Sequence, residues 1–176
     1  MRLLRSCVVS LAVALMFVTV GVGFAQTRQS TPSKENDQLV GAWRLNVAKS
    51  RYSPGPAPIS ETRTYVREGD NVQGIIQRAF RDGRRERIEY SANYDREYPV
   101  TGTDDYDHVI LKRVDPYTSE AVLSHAGRVF GTARRVIAAD GKSMTITFRR
   151  ENDSGGVSVY NFAVYERLTV DDSEVR

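Results

Sequence analysis

Two histidines, nine tyrosines and a scatter of arginines carry most of the chemical potential of this chain. His125 follows Ala121 and Leu123 at a spacing of two, which on a strand puts its ring on their face. In a barrel interior its near-neutral intrinsic pKa would suit a general base. A partly buried histidine bonded to a neighbouring strand accounts for the same spacing, and neither a nucleophile nor an acid is paired with it locally. His108, beside Asp107, reads as the exposed start of a strand, and two histidines so far apart form no metal-ligand pattern. The run Asp104-Asp105-Tyr106-Asp107 lacks the glycine and terminal glutamate of a calcium loop and reads as a solvated turn. Nowhere is there a Gly-x-Ser-x-Gly elbow or a phosphate-binding glycine loop, and Gly155-Gly156 reads as a hairpin turn. Neither a catalytic residue nor a metal ligand is assigned, and no cofactor is expected.

The tyrosines point toward binding. Each offers an apolar ring with a polar tip. Tyr90 and Tyr94 share the face of Ile88, and Tyr160 shares one with Phe162 and Val164, whereas Tyr165 lies on the opposite face with Val159 and Ala163. If Arg78, Arg113 or Arg135 joins such rings inside, the interior would favour an anionic amphiphile through charge-assisted hydrogen bonds. Alternatively these arginines face solvent, their apolar stems lying along the sheet. Tyr90, Tyr94, His125, Arg78, Arg113 and Tyr160 are therefore the candidate ligand-binding residues.

The elements that must position them are strands. From Leu39 onward, apolar residues recur with period two between turn signals. Strands are predicted at about 39–47, 61–67, 72–80, 85–94, 108–114, 120–125, 129–138, 143–150 and 157–167. Asp82-Gly83 is the clearest hairpin signal. The segment 49–58 holds Pro54, Pro56 and Pro58, which rule out a central strand and predict a semi-rigid loop across one end. A polar connection is expected over 95–107. Short strands in hairpin order predict an all-β, antiparallel up-and-down barrel of about 8–10 strands, because closure removes the sheet edges. A β-sandwich is the competing arrangement, but the hairpin order lacks Greek-key crossovers.

The ends bear on compartment. Arg2 and Arg5 precede an apolar run from about Val8 to Phe24, closed by Gly23-Phe24-Ala25. This predicts a signal peptide over 1–25 and export to the periplasm or the extracellular space. A flexible leader is expected over 26–38, the barrel domain over 39–168 and a polar tail over 169–176. An uncleaved anchor is the alternative reading; with the signal removed no membrane span is expected. The one cysteine, Cys7, lies within the signal, so the mature chain has neither a disulfide nor a thiol nucleophile. Removing Arg2 and Arg5 leaves 23 basic against 22 acidic side chains, and no block of like charge suits nucleic acid. Oligomeric state is not legible.

One stretch carries a resemblance: Gly41-Ala42-Trp43 on the first strand, then Lys49-Ser50-Arg51-Tyr52-Ser53-Pro54-Gly55-Pro56-Ala57-Pro58. With the run 134–147 and the closing Val164-Tyr165-Glu166-Arg167, it resembles a group of uncharacterised secreted bacterial proteins with lipocalin-like β-barrels. The resemblance implies a fold rather than an activity. It implies structural roles for Gly41 and Trp43, with Arg167 (or, failing that, Arg149) laid across the indole at the barrel's narrow end. The reading that follows is an exported lipocalin-like barrel, non-catalytic, binding a small hydrophobic or anionic amphipathic molecule. The alternatives are a metal-independent isomerase or cyclase using interior Tyr, His and Arg, and a filled barrel serving as a structural or interaction module. A cavity would separate the first two from the third.

Overall fold

A computed structural model of the chain describes residues 37–152 and 154–169. The expected signal, nearly all of the expected leader and all but the first residue of the expected tail lie outside those residues. The described chain forms strands β1 (Gly41–Leu45), β2 (Arg51–Ser53), β3 (Ser60–Glu68), β4 (Asn71–Ala79), β5 (Arg85–Ala92) and β6 (Glu97–Pro99). It continues with β7 (His108–Arg113), β8 (Thr118–His125), β9 (Arg128–Ile137), β10 (Ser143–Glu151) and β11 (Val157–Arg167). These pair antiparallel in the order β5-β4-β3-β1-β11-β10-β9-β8-β7-β6, with β2 also on β11. The sheet curls until its outer strands meet. Glu89 of β5 and Thr101, just past β6, exchange two backbone N–H···O bonds of 3.0 Å, making a nearly closed up-and-down barrel.

Two strands lie where connections were expected. β2 sits inside the proline-rich segment, pairing Ser53, Tyr52 and Arg51 with Tyr160, Asn161 and Phe162. It stops at Pro54, consistent with the donors that proline removes from a ladder. β6 likewise interrupts the polar connection and pairs with β7. Neither has enough alternating residues to register as a strand by period.

The barrel's two ends differ. Where β1 begins and β11 finishes, Trp43 is fully buried and anchors the core with Leu39, Val72, Ala92, Leu111 and Met144. The indole N–H donates to the Leu39 carbonyl at 3.0 Å. The Arg167 guanidinium lies 4.1 Å from the ring centroid, a contact worth about 0.5–2 kcal/mol. Its Nε, Nη1 and Nη2 donate to the carbonyls of Gly141 at 2.6 Å, Val40 at 2.8 Å and Gln38 at 2.6 Å. A Cβ on Gly41 would sit 2.4 Å from that Nη1, so the glycine makes room for the guanidinium. This end is shut.

Candidate functional site

Toward the opposite end the interior opens into a cavity of about 260 Å³. Small residues create the space. Ala121 on β8 pairs directly with Ala133 on β9, Ala133 in turn faces Phe148 on β10, and Ala163 on β11 faces Ile146. All of these line the cavity. Where a barrel of this size could fill itself with branched side chains, three alanines on neighbouring strands leave a hollow. Phe130, Phe148, Tyr106 and Leu123 belong to the apolar wall around it, with Ile76 and Val109. Phe130 stacks at tilted angles between Tyr106 and Phe148, with centroids 5.8 and 6.1 Å apart.

The polar lining is unusually charged. Arg63, Arg78, Arg135 and Arg150 face Glu61 and Asp105, four cations against two carboxylates. Glu61 is buried, and Arg63 Nε donates to its Oε1 at 2.6 Å. The Tyr165 hydroxyl donates to the same oxygen at 2.8 Å, and Arg63 Nε also reaches that hydroxyl at 3.1 Å. Burial pushes Tyr165 well above the ordinary phenol range, so it stays a proton donor to Glu61. Tyr52, brought in by β2, is pushed up to about 12, first by burial and then by the Glu61 charge. Arg78 Nε donates to Glu86 at 2.5 Å.

Arg135 is different. It is 4% exposed and forms no ion pair with a carboxylate among the described residues. Its guanidinium lies 5.6 Å from the centroid of Tyr65, and its Nη1 is buried without a hydrogen-bond partner among the described residues. The buried Tyr65 hydroxyl also lacks one. Tyr90 completes the floor, its phenol pushed up to about 12 by burial although the Arg135 charge and hydrogen bond pull the other way. Gly74 permits this arrangement. It pairs with Tyr65 on one side and Tyr90 on the other, and a Cβ there would lie 2.4 Å from Tyr90 Cζ. The Tyr90 ring therefore lies across the glycine.

The structure brings together only part of the candidate set. Tyr90 and Arg78 line the cavity. Tyr94 and Arg113 meet elsewhere, toward the shut end, where the Tyr94 hydroxyl donates to Asp37 at 2.6 Å and Arg113 Nη2 pairs with the same carboxylate. Arg67 stands 3.8 Å from it as well. Tyr160 is 46% exposed and points away from the cavity. His125, placed by alternation beside Ala121 and Leu123, is exposed instead. His125 ends β8, paired with Arg128 across the two-residue turn 126–127, so it stands at the exposed hairpin tip, beyond the cavity wall that Ala121 and Leu123 form. His108 Nδ1 lies 2.9 Å from Asp107 Oδ1, also outside the cavity. Glu61, Arg63, Tyr52 and the three alanines were not among the candidates; their inward face is strongly polar or small, so alternation of hydropathy does not expose it.

No protein-family model matches the chain, and no curated protein matches it.

Proposed function

We propose that this chain is a non-catalytic barrel of lipocalin-like kind, acting outside the cytoplasm, whose cavity holds a small amphipathic molecule. The observation that carries the reading is the cavity itself: about 260 Å³, walled by rings and alanines, with a few convergent polar groups. Such a combination is what small-molecule sites share. At roughly 30 Å³ per water, the space equals about nine waters and suits a ligand of about ten non-hydrogen atoms. Export and the lipocalin-like assignment rest on the N-terminal pattern and on the Gly41, Trp43 and Arg167 arrangement. An isomerase built on His125 has no support, because that ring lies outside the cavity.

Thermal unfolding with 1-octanol tests the reading. At a hundredfold excess over its dissociation constant, a bound ligand adds about 2.7 kcal/mol of stability. The Ala133→Phe variant, which fills the hollow, is expected to fold and to lose that gain. No shift with 1-octanol, 1-decanol or octanoate would sink the proposal.

A further inference from the structure

We propose that Arg135 is the anion seat of this cavity, and that the ligand is a compact monocarboxylate bound head-down, its apolar body toward the open end. The inference rests on the binding reading above and specifies its chemistry.

Four arginines line the cavity; two are paired with carboxylates, and a third is only half-buried. Arg63 is held by the buried Glu61 at 2.6 Å and Arg78 by Glu86 at 2.5 Å. Arg150 is half-buried and lies 4.9 Å from the Phe130 ring centroid. Only Arg135 combines near-complete burial with the lack of a carboxylate among the described residues. A guanidinium cannot shed its proton to escape the interior. Removing an ion from water costs several kcal/mol, and a ring face returns only a fraction of that. An anion delivered from solution supplies the missing counter-charge.

The surrounding donors define which anion. Arg135 Nη1 is buried without a partner among the described residues, and the hydroxyl of Tyr90, which lines the cavity with it, is the guanidinium's neighbour. Two acceptor oxygens on one planar group match this set, as carboxylates match guanidinium forks elsewhere. A phosphate monoester would bring nearly two charges to a single uncompensated cation, and Glu61 already carries a negative charge on the same cavity wall. Depth sets the orientation. Arg135 lies two residues before β9 ends at Ile137, on the shut side, while Leu123, Phe130 and Phe148 lie toward the open end.

Isothermal titration of the chain with octanoate, 1-octanol and octylamine, equal in length and different in head, reads the seat directly. Octanoate is expected to bind at least tenfold more tightly than 1-octanol, with octylamine weakest. Arg135→Met should bring octanoate down to the level of 1-octanol, and Arg135→Lys should keep part of the preference. Tyr90→Phe, a milder change in case Arg135→Met does not fold, should weaken octanoate more than 1-octanol. Equal affinity of wild type for octanoate and 1-octanol, or a preference that survives Arg135→Met, overturns the seat while leaving a binding barrel in place. Failure of all three ligands to bind overturns the binding reading, and the seat with it.

Discussion

Arg167 and Arg135 are both arginines laid over a buried aromatic ring, and they end in opposite circumstances. Arg167 stacks on Trp43 at 4.1 Å and spends its Nε, Nη1 and Nη2 on three backbone carbonyls. Arg135 stands over Tyr65 at 5.6 Å with Nη1 unpartnered and no carboxylate among the described residues. The first arrangement is complete within the chain and joins the strand ends that close the barrel. The second lacks a counter-charge among the described residues. Burial and ring contact alone therefore do not separate these arginines, nor does one unpartnered N–H, which Arg113 also has; the presence of carbonyls or a carboxylate to receive the guanidinium does, and Arg113 has Asp37.

Substitution should divide the two most sharply in stability. Arg167→Met strands the carbonyls of Gln38, Val40 and Gly141 and uncovers the indole, and is expected to cost about 4 kcal/mol, read from the urea midpoint and Trp43 fluorescence. Its folded fraction should bind 1-octanol as wild type does. A smaller loss would mean that other contacts hold this end. Next comes Glu61→Leu, which turns Arg63 into a second unpaired cation and deprives the Tyr165 hydroxyl of its acceptor. Breaking a buried pair from one side predicts a cost of about 3 kcal/mol. Arg135→Met should have the opposite sign, a gain of about 1 kcal/mol, because it deletes a buried charge that has no carboxylate partner among the described residues. A large loss from Arg135→Met would place it with Arg167 as a structural group.

Much of this was legible along the chain, and the failures have identifiable causes. The strands and their hairpin order follow from period two because most of them bury alternate apolar residues, as Ile88, Tyr90 and Ala92 do on β5. Tyr160 could have been excluded by parity. Once Arg167 lies on Trp43, the odd positions of β11 face inward, which admits Tyr165 and Ala163 and turns Tyr160 out. β3 could not be read this way. Its inward positions are Glu61, Arg63 and Tyr65, and Val66 is exposed, so hydropathy points to the wrong face. His125 lies outside for a third reason: it ends β8 at the hairpin tip, and alternation gives a residue's face but not its depth in the barrel. The polar half of the cavity is hidden because charged residues occupy inward positions, Glu61 paired with Arg63 within β3 and Arg78 with Glu86 across β4 and β5, where a hydropathy pattern expects apolar ones.

The smallest effect tests the floor of the cavity from the tyrosine side. Tyr52 and Tyr90 both stand at about 12, above the ordinary phenol value of 10.0. A raised value means that the folded chain holds these protons more tightly than the unfolded chain does. Their contribution to stability is therefore complete below pH 10 and is lost as pH climbs from about 10 toward about 12. Phenolate absorbance followed against pH reads the pair directly. In Arg135→Met the two members should separate. The Arg135 charge opposes the effect of burial on Tyr90, so its removal should carry the Tyr90 titration to still higher pH. Arg135 is not among the charges acting on Tyr52, whose titration should stay in place. A Tyr90 curve that does not move would show that guanidinium and phenol are not neighbours in solution, and would detach Arg135 from the floor on which its role depends.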